Sequence, residues 1–220
     1  MSYLVGLAGS VAAGKSTLAV QLAQKEQALG KTVEVVSTDG FLYPNAELER
    51  RGLLARKGFP ESYDGAAFAD FLDALRAGKS AKVPIYSHQT YDIQSDKQLE
   101  IPPSDLVIIE GINALQPDFT AGKLDYKLYL HAEETDLFRW YRERLLRLRH
   151  EAKSDPQSYF ERFLEFTEAQ WEARIKTIWE TVNLPNLREH ILPTRDLADE
   201  VLVKGPDHAM LSQPSTRFLL

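Results

Sequence analysis

The octapeptide Gly9-Ser10-Val11-Ala12-Ala13-Gly14-Lys15-Ser16 satisfies G-x-x-x-x-G-K-[ST] at every position. It follows an apolar run, Tyr3–Ala8, which reads as a buried strand. It leads into Lys15–Leu29, helical in composition and closed by Gly30 as a C-cap. A strand that turns through glycines into a helix makes a cradle for phosphate. The glycines let successive N–H groups curl round the anion, and the helix aims its positive end at it. In such a loop Lys15 reaches the outer phosphates and the Ser16 hydroxyl ligates Mg2+. Gly9, Ser10, Val11, Ala12, Ala13, Gly14, Lys15, Ser16 and Thr17 are therefore the expected nucleotide-binding residues.

Further short strands are expected at Val33–Ser37, at Leu106–Ile109 ending in Glu110-Gly111, at Tyr126–Leu130 and at Val201–Val203. Phe68, Phe71, Leu72 and Leu75 recur at helical spacing, and Gly78 closes that helix. Two longer helical patterns cover Thr135–Ala152 and Glu168–Val182. Gly40–Asp64 reads as a long loop and Val83–Ile93 as irregular or extended. Strands alternating with helices imply parallel βαβ units, and strands apolar on both faces imply a covered sheet. The expectation is an α/β, three-layer P-loop NTPase fold with a mostly parallel central sheet, as a single domain over residues 1–220.

Composition narrows the chemistry. The 220 residues include no cysteine, which excludes a disulfide scaffold, a thiol nucleophile and a Cys-ligated zinc. A formal net charge of −6 argues against nucleic acid as a partner. No apolar run approaches the ~20 residues of a membrane helix, and the start lacks a signal peptide's basic region. A cytoplasmic protein with a small-molecule substrate is the expectation, without nucleic-acid or membrane partners.

Several residues outside the loop carry chemistry. Glu110 closes an apolar strand and can hold Mg2+ or its waters. Asp39, in Thr38-Asp39-Gly40-Phe41, lies just past a strand end, where ligands of open α/β sheets gather. It can take a hydroxyl proton or orient that hydroxyl, or simply form an Asx turn before Gly40. His88 sits in a polar, aromatic loop with Tyr86 and Tyr91. On the helix from Thr135, Leu137, Trp140, Tyr141, Leu145 and Leu148 share one face with Arg144 in its middle. Arg139, Arg142, Arg147 and Arg149 lie off that face. An arginine there needs an anion or a carboxylate. Trp171, Ile175, Ile178, Trp179 and Val182 form a plain core stripe.

Beyond the phosphate loop, Thr38-Asp39-Gly40-Phe41-Leu42-Tyr43-Pro44-Asn45, Lys57-Gly58-Phe59-Pro60-Glu61-Ser62-Tyr63-Asp64, Tyr86-Ser87-His88, Asn183-Leu184-Pro185-Asn186-Leu187 and Ile191-Leu192-Pro193-Thr194-Arg195 carry a family resemblance. From about Val5 to His208 the chain resembles a type I (bacterial) pantothenate kinase, within the uridine kinase and phosphoribulokinase-like P-loop enzymes. The resemblance implies ATP- and Mg2+-dependent phosphorylation of the primary hydroxyl of pantothenate to 4′-phosphopantothenate, the first step towards coenzyme A, by a homodimer. It implies that Lys15, Asp39 and Arg144 are catalytic, and that Ser16 and Glu110 hold the metal. Tyr86, His88, Tyr91, Tyr141, Phe160 and Asn186 would join Asp39 around pantothenate, with Lys204 and His208 near the adenine.

The family usually has a helical segment before the phosphate loop, where this chain has only a few residues. It carries an arginine that helps bind inhibitory coenzyme A at the place of Val20, which argues against such inhibition here. It has phenylalanines around pantothenate where this chain has Leu145, Leu148 and Lys153, so a related alcohol is an alternative acceptor. A paralogue acting on a nucleoside or sugar, and a nucleotide-binding regulator without turnover, are the other readings.

Overall fold

The computed structural model describes residues 1–212, apart from the side chain of Ser95; residues 213–220, the end of the expected single domain, lie outside the described residues. Strand β1 (Tyr3–Gly9) is flanked by β5 (Leu106–Glu110) and β6 (Tyr126–His131). The edges are β2 (Val33–Ser37) and β7 (Glu200–Val203). The order is β2-β5-β1-β6-β7 and every pairing is parallel. Leu4, Val5, Leu7, Ala8, Val107, Ile108, Ile109 and Leu128 are fully buried, so the three central strands show no polar alternation.

The parallel register puts Leu7 opposite Glu110 and Gly9 opposite Leu130. The C-terminal ends of β1, β2 and β5 therefore open on one edge. Helix α1 (Lys15–Ala28) leaves β1 there and packs back on β1, β2 and β5. Leu29 is its C-cap, and Gly30 follows in the left-handed region at φ 88°.

One expectation needs correction and one becomes specific. The stretch Gly40–Asp64 is not a plain loop. It holds the tight turn Thr38–Phe41, helix α2 (Asn45–Arg50) and single turns at Leu54–Arg56 and Pro60–Ser62. Each is too short to show a helical period. The stretch Val83–Ile93, expected as irregular or extended, is largely extended and belongs to an antiparallel hairpin of β3 (Ala81–Ser87) and β4 (Asp92–Ile101). Residues Asp96, Lys97, Gln98, Leu99 and Glu100 are all exposed, so this stretch of β4 has no buried face and leaves no alternating pattern in the sequence.

Helix α3 (Gly65–Arg76) starts at Asp64, whose carboxylate accepts from the Ala67 N–H at 2.9 Å. Its Phe68 and Phe71 pack on Phe41, with ring centroids 4.8 and 5.2 Å apart. After the short helix α4 (Pro117–Thr120) come α5 (Glu134–Glu151) and α6 (Glu168–Ile178). The second helical pattern, expected to Val182, gives up regular α geometry at Ile178 and continues in wider turns at Trp179–Asn183 and Leu187–Ile191. These turns flank Pro185, which has no N–H to give to a carbonyl one turn back.

Gly40 fixes how the turn bearing Asp39 meets the hairpin. A Cβ there would stand 2.5 Å from the Pro84 carbonyl oxygen and 2.5 Å from Val83 Cγ2. Gly40→Ala is expected to lower stability by about 1–3 kcal/mol through overpacking, read as a drop in the urea midpoint. An unchanged midpoint would show that the hairpin yields freely.

Candidate active site

Gly9 begins the phosphate loop with a φ of 151°, and a Cβ on it would lie 2.5 Å from the Leu130 carbonyl oxygen. No side chain other than hydrogen lets β1 turn this close to β6. Ala12 and Gly14 also have positive φ, which rolls Gly9–Lys15 into a curl at the start of α1. Lys15 is buried, and its Nζ donates to the Ser10 carbonyl at 2.9 Å across that curl. Burial pushes the ammonium pKa down; Glu110 and Asp39 pull it back up, and Arg144 lowers it further.

Ser16 Oγ donates to Glu110 Oε1 at 2.9 Å. Glu110 is only 6% exposed. Its carboxyl pKa is raised, chiefly by burial, with Asp39 adding to the rise. Lys15 and hydrogen bonds to Ser16 and Ser37 work against it. A hydroxyl and a carboxylate in contact, beside a buried ammonium, are the donor set that suits Mg2+ carried on phosphates. Among the described residues no three His, Asp or Glu side chains cluster to hold a metal by themselves. The ion would therefore depend on phosphate oxygens.

Asp39 stands across from this cluster in the turn Thr38–Phe41. The Asx turn allowed by the sequence is not what forms. The Asp39 N–H donates to Ser37 Oγ at 3.3 Å, and Asp39 Oδ1 accepts from the Tyr63 hydroxyl at 3.3 Å. Arg144 on α5 is half-buried among the buried Leu137, Trp140, Tyr141 and Leu145. It has no hydrogen bond or ion pair among the described residues, while its charge is felt at Lys15, His88, Tyr91 and Tyr141. No carboxylate partner is present among the described residues, which leaves the guanidinium open to an anion.

The hairpin turn brings Tyr86, His88 and Tyr91 to the same side. The Tyr86 ring lies edge-on to His88 at 5.2 Å. Desolvation holds the His88 imidazole pKa down, Asp39 raises it and Arg144 lowers it. Tyr91 has a φ of 58°, stacks on Tyr159 at 4.7 Å and meets the edge of Phe160 at 5.5 Å. Tyr141 packs on Trp179 at 5.6 Å, and burial raises its hydroxyl pKa, with Tyr91 next. Asn186 is buried; its Nδ2 donates to the Gly58 carbonyl at 3.0 Å, and its Oδ1 has no partner.

Lys204 and His208 stand apart from Asp39, on the flank of the loop where Trp140 lies. Lys204 Nζ donates to the Ala13 carbonyl at 2.9 Å and sits 5.2 Å from the Trp140 ring centre. His208 stacks on Trp140 at 4.3 Å. Thr17 is exposed beside Ser16. Val20 is 47% exposed. Leu145 is buried, Leu148 half-buried and Lys153 exposed.

Four residues of the site were not singled out in the sequence: Ser37, Lys57, Tyr63 and Asn113. Lys57 Nζ donates to Asn45 Oδ1 and to the Tyr91 carbonyl, both at 2.6 Å. Burial lowers its pKa, against Asp92 and Asp39. The signal available for Lys57 and Tyr63 was the string Lys57–Asp64 itself, where a lysine, an aromatic pair and two acids sit together in a short loop.

The family profile for phosphoribulokinase / uridine kinase matches residues 4–151. A pantothenate kinase from Sorangium cellulosum is 49% identical, over 94% of this chain and 70% of its own. The chain belongs to this kinase family. A pantothenate kinase from Clavibacter sepedonicus is 45% identical over 94% of this chain and 68% of its own. The solved D-glycerate 3-kinase of Cryptococcus neoformans var. grubii shares the fold, with a TM-score of 0.69 and 13% identity over 97% of this chain and 89% of that one. Among the described residues no helix is long and apolar enough to cross a membrane.

Glu110 titrates against the fold. Its folded pKa is raised, so the stability it contributes is full below its ordinary value of 4.5 and is lost as pH rises through the raised value. Glu110→Gln is expected to raise the thermal midpoint at pH 7, to lose that gain as pH falls below 4.5, and to cut turnover sharply. A variant less stable than wild type at pH 7 would show that the ionised carboxylate holds the loop together.

Proposed function

We propose that this chain is an ATP-dependent pantothenate kinase that forms 4′-phosphopantothenate. The observation that carries the reading is the pairing of a phosphate cradle with Asp39 across from it, and with Arg144 left unpaired between them and the aromatic wall. The pantothenate kinases at 45 and 49% identity support the acceptor.

The chemistry follows from these positions. The primary hydroxyl oxygen of the acceptor forms a bond to the γ-phosphorus, and the bond from that phosphorus to the bridging oxygen of ADP breaks. The hydroxyl proton passes to the Asp39 carboxylate. Lys15 and Arg144 balance charge on the transferring group, which is where catalysis of this kind gains most. Ser16 and Glu110 are the residues that would hold Mg2+, which when bound adds further neutralisation of phosphate charge. Tyr86, His88, Tyr91, Tyr141, Phe160 and Asn186 orient the remainder of the acceptor, and Lys204 and His208 flank the base of the nucleotide beside Trp140. The same reading takes the enzyme as a homodimer.

A second reading keeps the mechanism and changes the acceptor to a related small alcohol. It is favoured by Leu145, Leu148 and Lys153 standing where rings are expected, which removes aromatic area from the acceptor side.

The test is ADP release with Mg2+ on pantothenate, beside a panel of nucleosides and sugars, with Asp39→Asn as control. Phosphorylation of pantothenate that falls about 10²–10⁴-fold in the control is expected for loss of the proton acceptor. Turnover on another alcohol alone would establish the second reading. Tight ATP binding with no turnover on any acceptor would make the chain a nucleotide-binding regulator.

A further inference from the structure

Tyr63 belongs to no expected catalytic or binding set, yet its side chain ends on Asp39. The residue is only 5% exposed, and its ring packs near Phe119 at 6.1 Å. Its backbone is held at two points: its N–H donates to the Pro60 carbonyl at 3.1 Å, and it bridges Leu42 in antiparallel fashion. The hydroxyl therefore has little freedom of position.

What the hydroxyl meets is informative. A phenol has one proton to give and lone pairs to receive with. Asn113, fully buried, stands near the Tyr63 side chain and donates from Nδ2 to the Gly58 carbonyl at 3.0 Å. The phenol's single proton is directed to Asp39 Oδ1 at 3.3 Å. Burial keeps that phenol protonated, with the Asp39 charge acting in the same direction. The contact is at the long end of hydrogen bonding, as such bonds often are before substrate tightens them.

We propose that Tyr63 is a positioning residue for Asp39: held by its burial and its fixed backbone, it occupies Oδ1 and leaves Oδ2 to face the acceptor hydroxyl. A carboxylate free to rotate would present either oxygen, or neither, to the acceptor. One pinned oxygen removes that freedom before substrate arrives.

This inference rests on the proposed phosphoryl transfer, so wild-type turnover is measured first, and the series is run on whichever acceptor the wild type phosphorylates. Absent wild-type turnover on pantothenate counts against the acceptor assignment and not against Tyr63. Tyr63→Phe removes one oxygen and keeps the ring. It is expected to lower kcat about tenfold, the effect of one hydrogen bond to a charged group, with both KM values within about twofold and the thermal midpoint unchanged. Added to Asp39→Asn it is expected to cause no further loss, because residues that act as a unit are not additive. An unchanged kcat in Tyr63→Phe overturns the proposal. So does a further tenfold loss in the Asp39→Asn background, since Tyr63 would then act on something other than that carboxylate.

Discussion

Lys15 and Glu110 are both buried, and burial pushes each towards its neutral form. Each is also the other's strongest support for staying charged. A lone buried ion costs several kcal/mol, and each charge offsets part of that cost for the other. Their meeting is arranged by the backbone. The parallel register of β1 and β5 puts Leu7 opposite Glu110, so the strand carrying Glu110 stops level with the start of the phosphate loop. Ser16, the next residue along, then reaches the same carboxylate. The sheet thus fixes a charge arrangement that is poor for the empty protein and suited to a polyanion with its cation. Arg144, which has no hydrogen bond or ion pair among the described residues, adds a further cation to that bias.

The phosphate side was legible in the sequence because each part of it is local. The loop motif, the strand before it and the helix after it lie within Tyr3–Ala28. The apolar runs of β5 and β6 have no exposed face to blur them. The hairpin was not legible, since β4 has an exposed outer stretch with nothing for a period to mark. Nor were the wide turns around Pro185, whose residues keep a helical composition while the hydrogen-bond ladder slips. Asp39 was ambiguous for a different reason. Its two uses differ only in what its oxygens meet, and the partner that decides it, Tyr63, is 24 residues away.

The acceptor side is put together differently. Its wall comes from the hairpin turn, the loop before α6, α5 and the turns near Asn186, which are far apart in the chain. They are joined by side chains that donate to carbonyls. Lys57 and Asn45 hold the carbonyl of left-handed Tyr91, at 2.6 and 3.2 Å. Arg149, which the helical wheel placed off the apolar face, spends its guanidinium on the carbonyls of Phe163, Leu164 and Phe166. It thereby fixes the segment that presents Tyr159 and Phe160 to Tyr91. No sequence pattern announces such bonds, because a carbonyl is the same in every residue.

This division explains why the reaction is easier to read than the substrate. Phosphate chemistry sits on strand ends whose geometry is set by sheet register, so a change there disturbs the buried core. The acceptor wall hangs on loops tied by a few long side chains, and residues between the ties are free to change. Leu145 shows the result: at a place where a ring is expected, a leucine has joined the core without any loss of α5. Asp39 stands at the boundary, on a strand end but clasped by Tyr63 from the loop side. A chain built this way can keep its transfer chemistry while its acceptor drifts, provided that the clasp on the carboxylate is kept.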